Sequence, residues 1–160
     1  MDWLYLSVLF IHIFAAVVWV GGTFFLALVG PSVRRDGSGP AREFLREAGF
    51  RFRDASWVAV GLLVLTGVVI LSRRGQLDDL PAAVARSPAL GWKIGVVLAM
   101  IGVKAAHDFY VGPRASAAAN ATTGSPTALP VWRLAMFLGK ANLILGAAVL
   151  FLGVLVSRGG

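Results

Sequence analysis

Cysteine is absent from the 160-residue chain, and charged residues of either sign are scarce. Without a thiol there is no disulfide, no zinc-thiolate centre and no thiol redox chemistry. Only 14% of the residues are charged, which is well below the share in ordinary soluble domains. Apolar residues take their place: they make up 58% of the chain and give a mean hydropathy of +0.78.

The apolar residues fall into four runs, at about residues 3–29, 57–71, 90–111 and 131–156. A helix needs about 20 apolar residues to cross a bilayer, and backbone groups inside lipid must be satisfied within the helix itself. We therefore predict an all-α integral membrane four-helix bundle. It is a single domain over residues 1–160, with helices at about 3–30, 55–72, 89–112 and 131–156. Because Asp2 precedes the first run and no small-residue cleavage site follows it, we expect a spanning helix there rather than a signal peptide.

The arginines predict the orientation of these helices. Eight arginines lie in or beside the first and third loops, whereas four lie in the second loop and near the C-terminus. The positive-inside rule then places the first and third loops in the cytoplasm and both termini outside. The same rule accounts for the formal charge of +7, so we expect the lipid bilayer, and not nucleic acid, as the partner of these arginines. The first loop mixes arginine with phenylalanine, which predicts a short basic amphipathic helix on the inner surface.

Ionisable residues inside spanning helices are costly and indicate functional sites. Six lie within the predicted helices of this chain: His12, Lys93, Lys104, His107, Asp108 and Lys140. On the third helix, two lysines, a methionine and a histidine share one face at helical spacing, and that face is expected to point into the bundle: Lys93, Met100, Lys104 and His107.

The first helix places His12 and Trp19 on one face, beside small residues that let a flat ligand or another helix approach. Each polar residue also has a structural interpretation. Lys93 and Lys140 reach water by snorkelling, and Met100 and Trp19 pack between helices. Asp108 caps its helix or pairs with Arg114 near the inner surface. His12 forms a hydrogen bond between helices. His12 has no nearby acid, and a neutral buried imidazole is a ready ligand for a metal or a heme.

Three segments resemble a known family. "IHIFAAVVWVGGTFFL", "LLVLTGVVIL" and "LGWKIGVVLAMIGVKAAHDFYVGPR" resemble the first three helices of the copper-resistance protein D (CopD) family. The first segment is also similar to the first helix of the HemJ-type protoporphyrinogen oxidases. It departs from them after the two glycines, because it reads "FFLALVGPSVRR" where those proteins have a Leu-Pro-Arg segment.

The resemblance implies a multi-pass protein of the bacterial inner (cytoplasmic) membrane. It makes His12 a ligand candidate, and Lys93 and His107 site residues. Its HemJ side implies heme b, and its CopD side implies copper uptake or tolerance. Copper(I) favours sulfur ligands, which this chain lacks apart from methionine.

We therefore expect first a heme b-binding redox protein, acting as an electron carrier, a membrane oxidoreductase or a subunit of a larger redox complex with other membrane subunits. A copper-handling protein comes second and a structural membrane subunit third. The residues expected at the cofactor are His12, Trp19, Lys93, Met100, Lys104, His107 and Lys140, with His12 and His107 as metal ligands.

The two histidines are expected at different sites. His12 lies 19 residues before Pro31, and His107 lies six residues before Pro113. At 1.5 Å per residue these are about 28 Å and about 9 Å from the inner surface, so the depths differ by about 19 Å. One iron cannot span that offset. We therefore predict an outer site at His12 near Lys93, and an inner site at His107 near Lys104 and Lys140.

Overall fold

The computed structural model describes residues 2–120 and 128–159, and all regular structure in these ranges is helical. In chain order the elements are α1 (Trp3–Asp36), α2 (Gly39–Arg73), α3 (Leu80–Arg86), α4 (Pro88–Ala105), a π-helical segment (Ala106–Val111), α5 (Gly112–Asn120) and α6 (Ala128–Ser157). Four stretches are long and apolar enough to cross a membrane: Trp3–Val33, Gly39–Arg73, Pro88–Ala115 and Arg133–Ser157. The predicted all-α membrane bundle is confirmed.

Helices α1 and α2 form an antiparallel hairpin joined by only two residues, Gly37 and Ser38. They contain 34 and 35 residues, so each is about 51 to 53 Å long. This length exceeds the roughly 30 Å hydrocarbon core of a bilayer. The hairpin therefore tilts strongly or projects beyond the apolar layer.

The predicted amphipathic helix of the first loop is instead the first part of α2. Pro40 occupies the first turn, where its missing N–H costs nothing. Ion pairs one turn apart, between Arg46 and Glu43 and between Arg51 and Glu47, then support the helix through its polar part. As a result α2 continues without a break into the apolar run.

The core lies where α1, α2 and α4 meet at mid-depth. Trp19 of α1 is only 3% exposed and packs with Met100 of α4, which is 2% exposed. The small residues Ala15 and Ala59 allow this close approach. Helix α6 packs mainly along α4 and also touches α1.

Candidate functional site

His12 is held in one orientation by α2. Its Nδ1 lies 2.8 Å from the Thr66 hydroxyl, and that hydroxyl donates its own hydrogen to the Leu62 carbonyl at 2.5 Å. Thr66 therefore acts as the acceptor toward His12, which assigns the proton to Nδ1 and leaves the lone pair on Nε2. No side chain among the described residues hydrogen-bonds to Nε2. The imidazole is half-buried, and a β-carbon added at Gly67 would lie 3.6 Å from its Cε1 atom.

Lys93 of α4 lies in the same half of the bundle as His12, the half that contains the start of α1. This half is called outer, and the opposite half inner, after the orientation that the sequence predicts. Its side chain is half-buried, and a β-carbon added at Gly153 of α6 would lie 3.4 Å from Nζ. Within the described part of the chain Lys93 forms no ion pair.

The outer end of the hairpin is closed by two polar contacts. Arg73 pairs with Asp2 at 3.1 Å. Arg74 donates from Nη2 and Nε to the Tyr5 hydroxyl oxygen, at 3.1 and 3.3 Å. These contacts bring Tyr5 and Arg74 to the rim above His12.

The sequence predicts that Trp19 and the small residues of α1 make a flat slot for a ligand, and in the structure Trp19 packs in the core with Met100. The indole is enclosed by the core, and the crevice left between Trp19, Met100 and Asn142 has no room for a water molecule. Small-molecule pockets generally exceed about 300 Å³. The small residues of α1 therefore serve helix packing at this depth. Thr23 donates to the Trp19 carbonyl at 2.8 Å, as expected for a threonine bonded to its own helix.

A second polar cluster lies at the inner end, where α4 passes into the π-helical segment. Lys104 Nζ is 2.7 Å from Asp108 Oδ2 and donates to the Ser56 hydroxyl at 2.7 Å. Trp57 Nε1 donates to the same Asp108 oxygen at 3.1 Å, and His107 Nδ1 lies 2.9 Å from the other carboxylate oxygen. The lysine and aspartate side chains are 7% and 10% exposed, so the ion pair is shielded from water.

Asp108 was expected to pair with Arg114, and that expectation is wrong. Arg114 donates to the Tyr110 carbonyl at 2.8 Å instead, while Asp108 turns toward α2. The π-helical geometry contributes to this arrangement, because its wider turn changes the directions of successive side chains. It lets the adjacent residues His107 and Asp108 contact each other.

The two histidines bind α2 at different depths. His12 contacts Thr66, whereas His107 reaches α2 only through Asp108 and Trp57. Nine residues separate the two contact points on α2, or about 14 Å along the helix. The structure therefore gives each histidine its own set of partners among the described residues.

The remaining sequence-predicted site residue, Lys140, is exposed on α6 and takes no part in the inner cluster's hydrogen bonds. Conversely, sequence reasoning missed the residues of α1 and α2 that hold the site residues in place: Tyr5, Ser56, Trp57, Thr66 and Arg74. In the described ranges no group of three or more His, Cys, Asp or Glu side chains is placed to hold a metal ion.

Comparison with known proteins gives one informative match. The chain is 30% identical over 154 residues to an uncharacterized protein of Aquifex aeolicus (strain VF5), and the match covers 94% of each chain. The chain belongs to the family of this Aquifex protein. No family model matches the chain, and no solved structure matches it either. The match over nearly the full length of both chains indicates that relative and chain share the whole bundle.

Proposed function

We propose that the chain is a heme b-binding redox protein of the membrane, or a subunit of a membrane redox complex, with His12 as an axial ligand. The observation that supports this most is the hydrogen bond from His12 Nδ1 to Thr66. A metal-ligating histidine generally donates its other ring N–H to a fixed acceptor, which sets the tautomer and the ring direction. His12 meets that requirement inside an apolar helix, where an unused imidazole is costly.

The porphyrin would lie in the outer half of the bundle, where His12 is half-buried, rather than beside Trp19, where the core is closed. A bound heme b would supply one-electron chemistry, and the chain would supply the ligand, its orientation and an apolar surrounding. Helix α2 would orient the His12 ring on α1 through Thr66, whose hydroxyl is itself fixed by its hydrogen bond to the Leu62 carbonyl.

Substitution of both histidines tests the proposal directly. The protein is purified with heme supplied, and absorbance spectra are recorded in the oxidised and dithionite-reduced states. We expect a Soret band and a reduced α-band in the wild type, loss of both in His12→Ala, and retention in His107→Ala. His107→Ala is the matched control, since its imidazole belongs to the inner polar cluster. Equal heme content in wild type and His12→Ala would refute the ligand role.

Thr66→Val separates positioning from ligation. Valine is nearly isosteric with threonine but cannot accept the Nδ1 hydrogen. We expect heme to stay bound with a shifted reduction potential and a weaker affinity, in the range of about 10- to 100-fold seen for such outer partners. An unchanged potential and affinity would show that this hydrogen bond does not tune the ligand.

The same preparations distinguish the other candidate functions. A copper-handling protein would carry copper in metal analysis and show no Soret band. A structural subunit would carry neither heme nor copper. The observation that favours a structural subunit is that both polar clusters join separate helices through hydrogen bonds, as is common in membrane bundles.

A further inference from the structure

Helix α4 carries two lysines on one inward face, and they differ in one respect. Lys104 has a carboxylate at 2.7 Å and a hydroxyl at 2.7 Å. Lys93, eleven residues earlier, has neither among the described residues, although it too is half-buried within a spanning helix. The bundle therefore compensates one of these charges internally and leaves the other uncompensated.

An uncompensated ammonium is expensive in surroundings of low dielectric constant. Removing a cation from water costs several kcal/mol unless an opposite charge and hydrogen bonds replace the lost hydration. Among the described residues no carboxylate pairs with Lys93, since Asp2 pairs with Arg73 and Asp108 pairs with Lys104. A site that gathers positive charge without an acid is complete only when an anion enters it.

Lys93, and the Arg74–Tyr5 pair at the same end of the bundle, offer hydrogen-bond donors. The Lys93 ammonium has three N–H bonds and no acceptor side chain among the described residues. The Tyr5 hydroxyl oxygen accepts from Arg74 Nε and Nη2, so its own hydrogen is left to donate elsewhere. Of the acids described at this end of the bundle, Asp2 pairs with Arg73, Asp79 accepts from the Ala82 N–H, and Asp78 lies exposed in the loop.

We propose that the outer half of the bundle binds an anionic oxygen group, a carboxylate or a phosphate, through Lys93 with Arg74 and Tyr5. Where a heme is held by His12, the group is a propionate, and that part rests on the proposed function. Where no heme is held, the same donors take the phosphate of an anionic lipid headgroup. The ligand chemistry is shared, and the experiment separates the two sources.

The first arm compares hemin with hemin dimethyl ester, which keeps the iron and the ring but has no carboxylate. Binding is titrated by absorbance in neutral detergent. A charge-assisted hydrogen bond contributes enough that the wild type should bind hemin about tenfold more tightly than the ester. Lys93→Met should remove that preference and leave ester binding unchanged. Lys140→Met is the matched control, because Lys140 is exposed elsewhere in the span, and it should keep the preference.

The second arm uses heme-free protein in nanodiscs of phosphatidylglycerol or phosphatidylcholine. If the anion is a headgroup phosphate, phosphatidylglycerol raises the thermal midpoint of the wild type, and Lys93→Met abolishes the rise. In phosphatidylcholine, Lys93→Met should have a thermal midpoint no lower than that of the wild type, because the substitution removes an uncompensated charge. A lost response to phosphatidylglycerol is then not caused by misfolding of the variant.

A Lys93-dependent preference in either arm supports the anion site and identifies its source. The absence of any Lys93-dependent difference in both arms overturns it. The two proposals fail separately. If His12→Ala removes hemin while the dimethyl ester binds the wild type as well as hemin does, with no lipid effect, the heme ligand stands and the anion site does not. If His12→Ala keeps its hemin while phosphatidylglycerol raises the midpoint only when Lys93 is present, the anion site stands and the heme ligand does not.

Discussion

The buried ion pair between Lys104 and Asp108 should contribute to the stability of the inner half of the bundle. We expect Asp108→Leu to lower the free energy of unfolding by about 3 kcal/mol, since it leaves a buried ammonium without its counter-ion. Lys104→Met should cost a similar amount by leaving the carboxylate unpaired. In the double variant both charges are gone and the Ser56 hydroxyl still donates to the Arg53 carbonyl. The indole N–H of Trp57 loses its acceptor, which costs about 1 kcal/mol.

The double variant should therefore lie only about 1 to 2 kcal/mol below the wild type, far less than the sum of the single costs. Unfolding by SDS titration of the purified protein measures all four free energies. Arg51 and Glu47 provide a matched control, because they have the same spacing and the same 2.7 Å distance but lie exposed on α2. Their removal should cost about 0.5 kcal/mol or less. Additive effects in the Lys104–Asp108 cycle, or single costs no larger than the control, would refute the reasoning.

Two further predictions concern packing and orientation. Gly22→Ala should destabilise the hairpin by about 1 to 3 kcal/mol, because the new methyl group would lie 2.1 Å from the Phe52 ring, and Phe52→Ala should recover part of the loss in the same unfolding assay. Since the chain has no cysteine, a single cysteine at Ser38 should be labelled by a membrane-impermeant reagent only from the cytoplasmic side, and one at Asp78 only from the outside; the reverse pattern would refute the predicted topology.

The helices could be predicted from the sequence because apolar length alone requires them. The helix boundaries at the turn between α1 and α2 could not. Residues 39–54 are too polar to read as part of a spanning helix, yet their charged pairs one turn apart allow the helix to continue. Hydropathy indicates which residues tolerate lipid, whereas helix propensity and local ion pairs determine where the helix ends.

The inward face of α4 was also predictable, since Met100 and Lys104 are buried and recur at helical spacing. Their partners were not, because they depend on how α2 lies against α4. The sequence offered Arg114 for Asp108 as a near neighbour, while the structure uses Trp57, 51 residues earlier. Local spacing cannot reveal such a contact. The π-helical turn that redirects Asp108 has no sequence signature that we recognise.

The two polar clusters divide the bundle into halves with different roles. At the inner end the carboxylate of Asp108 contacts Lys104, Trp57 and His107, so its negative charge is neutralised within the chain. At the outer end His12 keeps a lone pair and Lys93 keeps a positive charge, and neither is used by the described residues. Groups that satisfy one another stabilise a fold, whereas groups left unsatisfied inside a membrane are maintained at a cost that a ligand offsets. Substitutions in the inner cluster should therefore change stability while leaving ligand binding intact, and substitutions in the outer cluster should do the reverse.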